Sequence, residues 1–141
     1  MISQTAEYAL RTVLHIAERH DTGGAVSARE LARALDLPPN YISKTLYLLA
    51  RAGVLTSMRG RSGGFRLARS PKEVLLLDVV APFDQIGQRS VCLMGRAQCS
   101  DRTPCAAHER WKLAQEGVLT FFRQTTVADL LASQGRNRRT A

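Results

Sequence analysis

The chain of 141 residues has no uninterrupted apolar run approaching the roughly 20 residues that cross a bilayer, so a membrane-spanning role is excluded. It has no internal repeat and no low-complexity linker, which excludes a solenoid or a tethered array. No Ser/His/Asp pattern and no phosphate loop is present, and a carboxylate pair such as Glu109 and Glu116 carries no catalytic signature. An enzyme is therefore not expected. The opening residues lack a basic leader and carry Glu7, Arg11, Glu18 and Arg19 at helical intervals. The expected location is the cytoplasm, where thiols stay reduced. Cysteine is absent until Cys92, and all three cysteines, Cys92, Cys99 and Cys105, then fall in one short stretch.

Charge is one-sided. Lys and Arg number 20 against 12 Asp and Glu, a formal net charge of +8. Residues 1–70 hold ten basic and five acidic side chains, and residues 71–141 hold ten and seven. Such a surplus points to a polyanion, with nucleic acid ahead of an anionic membrane.

Apolar periodicity organises the chain. Ala6, Leu10, Val13, Leu14 and Ala17 predict a helix over residues 3–20, broken by DTGGA. Ser27 and Glu30 form an S-x-x-E capping box that opens a second helix to Leu35. DLPP makes a turn, and Pro39 suits the first position of a third helix to about Arg51, ended by Gly53. Two strands, Val54 to Met58 and Phe65 to Leu67, flank the turn RGRSGG. A short helix is expected over residues 74–81 and a long one over 104–123, with Trp111, Ala114, Val118, Phe121 and Phe122 along one side. A last short helix follows Thr126, and GRNRRTA reads as a frayed tail.

Three helices followed by a hairpin make a winged helix-turn-helix. The fold class is mainly α, with a two-stranded wing and a long C-terminal dimerisation helix. Residues 1–70 form the DNA-binding domain. Residues 71–141 supply a cysteine loop at about 90–106 and the dimerisation helix. With Ile42, Leu46 and Leu49 packed inward, the third helix offers Asn40, Tyr41, Ser43, Lys44 and Tyr47 to DNA. Tyr41 could equally pack in the core. The wing adds Arg59, Gly60, Arg61, Ser62, Gly63 and Arg66, since arginine suits a narrow minor groove. Ser27, at the start of the second helix, joins the candidate DNA contacts.

The run from Ser27 to Arg69 resembles the Rrf2-type winged-helix regulators, the group that includes IscR-, NsrR- and RirA-like proteins. The resemblance is carried by Tyr41, Ile42, Leu46, Leu49 and Gly53 in the helix and by Arg59, Gly60, Gly63, Gly64, Phe65 and Leu67 in the wing. It continues through the three cysteines to TTVADLL near the C-terminus. It implies a homodimeric transcription factor, read as a repressor, that binds a pseudo-palindromic operator under the control of an iron–sulfur cluster.

Thiolates are the usual ligands of such clusters. The spacing C-x(6)-C-x(5)-C suits a loop wrapped around a cluster better than mononuclear zinc, whose structural sites use closer pairs. Thr103 and Pro104 predict that Cys105 lies in a first helical turn, where the helix dipole favours thiolate. Two residues compete for the fourth position. His108 completes a C-x-x-H ending like the IscR-type pattern, and Glu7 stands where NsrR-like members place a carboxylate that reaches across the dimer. His108 is preferred, because its spacing needs no dimer arrangement. A two-iron and a four-iron cluster both remain open, as does the signal: nitric oxide, redox state, or iron and cluster supply. The alternatives are a winged-helix regulator with a zinc or thiol–disulfide switch, and a small iron–sulfur electron-transfer or cluster-delivery protein.

Overall fold

The computed structural model describes residues 2–86, 92–97 and 99–137. Helix α1 (Gln4–Ala17) is capped by Ser3, whose hydroxyl accepts from the Ala6 N–H at 3.1 Å. It buries Ala6, Ala9, Val13, Ile16 and Ala17. The small residues let its backbone come close to its neighbours. A 3-10 turn (His20–Thr22) leads to α2 (Ala28–Leu35). The Ser27 hydroxyl caps α2 by accepting from the Glu30 N–H at 3.2 Å, and the Glu30 carboxylate pairs with Arg19. Helix α3 (Pro39–Arg51) buries Ile42, Thr45, Leu46 and Leu49. Gly53, at φ 76°, closes it: Val54 N–H reaches Leu49 O at 3.0 Å and Gly53 N–H reaches Ala50 O at 3.1 Å.

The wing pairs β1 (Leu55–Met58) antiparallel to β2 (Gly64–Leu67), with Leu55 opposite Leu67 and Met58 opposite Gly64. Val26 bridges the far side of β2 through two bonds with Phe65, at 2.9 and 2.8 Å. That bridge is why Gly64 must be glycine. Its φ is 146°, and a Cβ would run into the Val26 backbone carbonyl.

Helix α4 (Leu76–Val80) is shorter than the expected 74–81. Val74 and Leu75 are drawn out of it by backbone pairing with the C-terminal segment: Val127 N–H donates to Val74 O, and Leu76 N–H to Thr125 O, both at 2.9 Å. Helix α5 (His108–Gln124) starts four residues after the expected 104. Thr103 O accepts from the Arg96 guanidinium at 3.2 Å, and Cys105 O accepts from His108 N–H at 3.0 Å in a tight turn, so the helical ladder begins only at the N-cap Ala107, whose carbonyl accepts from Trp111 N–H at 2.9 Å. Cys105 therefore lies outside the helix, and the argument from the helix dipole does not apply to it. Helix α6 (Val127–Asn137) runs into the segment expected to fray, and residues 138–141 of that tail lie outside the described residues.

One core joins both halves of the chain. Val74, Leu76, Val79, Val80, Phe122 and Val127 pack with the buried faces of α1 and α3. Only the C-terminal half of α5 is anchored there. Its N-terminal end stands about 25 Å away along the helix, at a rise of about 1.5 Å per residue. Among the described residues no helix is long and apolar enough to cross a membrane.

Candidate DNA interface and metal centre

The outward face of α3 is what burial of its inner face leaves over. Asn40, Tyr41, Ser43, Lys44 and Tyr47 are all exposed, Tyr47 at 61% and Tyr41 at 53%. Tyr41 is not in the core. It meets the ring of Tyr8 from α1 edge-on, with centroids 6.2 Å apart. Tyr8 escaped the sequence reading because it falls between the buried positions of α1. At the wing tip Arg59, Gly60, Arg61 and Ser62 are exposed, Gly63 is half-buried, and Arg66 stands exposed on β2. Ser27 is half-buried with its hydroxyl engaged in the α2 cap. Lys44 on α3 and Arg59, Arg61 and Arg66 on the wing are thus exposed basic side chains.

The second site lies at the head of α5. Residues 90, 91 and 98 of the expected cysteine loop lie outside the described residues. Cys92 is buried, and Cys99 and Cys105 are half-buried. The backbone N–H groups of Arg96 and Met94 point at the Cys92 sulfur and lower its pKa, helped by the Arg96 charge. The turn that aims them, Cys92 O to Gly95 N–H at 3.0 Å, places Gly95 at φ 71°. Cys99 shows the opposite shift. Its thiol is pushed up by burial first, then by the negative charge of Cys92 and Cys105 nearby.

His108 is 4% exposed although it opens a helix. Its Nδ1 lies 3.2 Å from Cys99 Sγ, and its Nε2 lies 2.8 Å from Asp101 Oδ1. Lys112, one turn further along α5, reaches the same Asp101 oxygen at 3.3 Å. Hydrogen bonding to His108, then to Lys112, holds the Asp101 carboxyl below its ordinary range. Asp101 carried no sequence signal, since it sits in a loop without periodicity. Lys112 could have been found from its i+4 spacing to His108. Glu7 is exposed in the first turn of α1, and among the described residues it joins no cluster with the cysteines or His108.

The donor set suits a cationic metal group. Negative charge on Cys92 and Cys105 disfavours ionisation of Cys99, so the three thiolates coexist only beside a compensating positive charge. A thiolate sulfur and an imidazole nitrogen on one tetrahedral metal lie about 3.5 Å apart, given metal–ligand bonds of about 2.3 and 2.05 Å. Cys99 and His108 are already near that separation.

Residues 2–133 match the family described as Rrf2, iron-dependent transcriptional regulator. An rrf2-like HTH-type transcriptional regulator of Rhodobacter capsulatus is 30% identical over 140 residues, covering 94% of this chain and 93% of its own. The HTH-type regulator IscR of Vibrio atlanticus is 25% identical over 92% of this chain and 74% of its own. In three dimensions the chain is similar to CymR, the global cysteine regulator of B. subtilis, with a TM-score of 0.80 at 24% identity over 94% of this chain and 97% of that one. The chain belongs to the Rrf2 family, and it is a DNA-binding transcriptional regulator rather than an enzyme.

Proposed function

We propose that this regulator acts in the cytoplasm as a homodimer whose operator affinity is set by an iron–sulfur cluster held by Cys92, Cys99, Cys105 and His108. The observation that carries the reading is the 3.2 Å approach of Cys99 to His108, with Cys92 and Cys105 near enough to Cys99 to act on its charge. Residue 70 is then a division of labour rather than of packing: residues 1–70 read DNA, and 71–141 hold the cluster and the dimer seam. A bound cluster would supply the positive charge that lets three thiolates coexist, and a centre responsive to nitric oxide, redox state or iron supply.

The chain's own residues connect this centre to DNA. Asp84, after α4, accepts from the Ser3 N–H at 2.6 Å and so holds the start of α1 against the segment that precedes the cysteine loop in sequence. Helix α1 carries Tyr8, which braces Tyr41 on α3. A change in order of the loop thereby reaches the recognition helix. On α5, Leu113 and Phe121 are 67% and 50% exposed, and with Gly117 they form an i, i+4, i+8 stripe suited to a second copy of the helix. Each subunit then presents α3 and the wing to one half-site of a pseudo-palindromic operator.

Anaerobic purification with an absorption spectrum and iron and sulfide counts tests this. A coloured protein with matched iron and sulfide is expected, and replacing all three cysteines by alanine should abolish the colour while leaving a folded dimer. Zinc, or no metal, would move the assignment to a zinc or thiol–disulfide switch. The lowered Cys92 thiol in contact with Cys99 is what supports that second reading. A family of transcriptional regulators leaves the electron-carrier reading without support.

A further inference from the structure

We propose that Asp101 is a positioning residue: it fixes the tautomer and orientation of His108 so that Nδ1, not Nε2, is the nitrogen offered to the metal group. This rests on the reading of His108 as a ligand and adds which atom binds and what aims it.

An ionised carboxylate can only accept hydrogen bonds, so the 2.8 Å contact requires His108 Nε2 to donate to Asp101 Oδ1. In the neutral ring the lone pair is then on Nδ1, which faces Cys99 Sγ at 3.2 Å. The Cys99 S–H can donate into that lone pair until a metal takes its place. Lys112 reaches the same Asp101 oxygen at 3.3 Å and holds the carboxyl group in place from the other side. The ring is buried between the two contacts, so turning it over would put Nε2 toward Cys99 only by breaking both of them. Carboxylate–histidine pairs of this kind orient metal-bound imidazoles and raise their basicity, and losing the carboxylate typically costs about 10–100-fold in metal affinity. Glu7 has no comparable support among the described residues: it is exposed, and no described side chain aims it at the cysteines.

Glu109 Oε1 stands 3.9 Å from the same His108 nitrogen and could substitute for Asp101, so the informative variant is D101A combined with E109Q. Two readouts are needed. In cluster-free protein, nitrogen NMR of the histidine rings should show His108 protonated at Nε2 in the wild type and in D101N, whose amide oxygen still accepts. The double variant should shift toward a mixture of tautomers. In anaerobically reconstituted protein labelled with nitrogen-15 histidine, pulsed EPR of the reduced cluster should show a strongly coupled ring nitrogen in the wild type and D101N. The double variant should weaken that coupling and lose iron to a chelator about 10–100-fold more readily. Circular dichroism melts control for folding. Wild-type His108 protonated at Nδ1 would overturn the proposal. So would a double variant with wild-type tautomer and iron retention while H108A loses the coupling and the iron, since His108 would then ligate unaided. If H108A itself keeps the wild-type coupling and retention, the ligand reading has failed and the proposal falls with it.

Discussion

The two ends of this regulator are built on different principles. At the proposed DNA-reading end, the candidate residues are those that regular elements leave outside: once Ile42, Leu46 and Leu49 are buried, the helical period alone exposes Asn40, Ser43, Lys44 and Tyr47. At the cysteine end no period operates. Cys99 meets His108, and Cys92 meets Cys99, through turns and through a few polar bonds such as His108 to Asp101 and Arg96 to the Thr103 carbonyl. The first kind of site is as stable as the core beneath it. The second depends on a few polar contacts on the unanchored half of α5, which is where a responsive element must sit, because only a locally weak structure can be reordered by a ligand.

This contrast can be broken at several points. The largest effect should come from Leu46→Ala, at 1% exposure in the shared core, with a loss of about 2–5 kcal/mol in urea unfolding. DNA binding should fall with it, and a loss below about 1 kcal/mol would mean that the core does not hold the recognition helix. Gly64→Ala should cost about 1–3 kcal/mol by forcing a Cβ into the Val26 carbonyl, and it should loosen the wing. An unshifted melting curve with intact operator affinity would remove Gly64 from the argument. Arg59→Ala with Arg61→Ala should leave stability within about 0.5 kcal/mol and lower the slope of log affinity against log salt by about 1.8. An unchanged slope would take the wing off the DNA.

The smallest effect concerns Asp129, which accepts from the Thr126 N–H and hydroxyl, each at 2.8 Å, at the start of α6. Those bonds hold its carboxyl below the ordinary range, the backbone N–H contributing most. The unfolded chain takes up the proton first as pH falls. The cap is therefore fully effective above about pH 4 and is lost as pH drops through the depressed folded value. Melting of Asp129→Asn should differ from wild type at neutral pH, and the difference should shrink on acidification. A gap that widens in acid would refute this account of the cap.

Much of the architecture was legible from local rules. Ser27 caps α2 and Pro39 opens α3, and Gly53 ends it, each at the expected place, because caps and left-handed helix ends depend on a residue and its immediate neighbours. The misjudged boundaries share a cause. Residues 74–75 and 104–107 are withheld from helices by partners distant in sequence or by turns specific to this loop: Val127 and Thr125 in the first case, Arg96 and the Cys105–His108 turn in the second. The same applies to the candidate site. The cysteine spacing and the C-x-x-H ending were visible, whereas Asp101, Lys112 and the Tyr8–Tyr41 contact were not.

The sequence by itself determined that Ile42, Leu46 and Leu49 line the inner face of α3, the winged-helix order, the basic surplus and the presence of three clustered thiols, whereas Leu10 and Leu14, expected on the apolar stripe of α1, are half-buried and Ala9 and Thr12 take the buried places. Periodicity, turn chemistry and composition are read within a few residues of one another. Only the tertiary structure decided that Cys99 and His108 meet, which nitrogen of His108 faces Cys99, and that Asp84 meets the start of α1 and Tyr8 meets Tyr41. Those contacts join groups whose distance along the chain says nothing about their distance in space, and they form only once the core has set the surrounding elements in place.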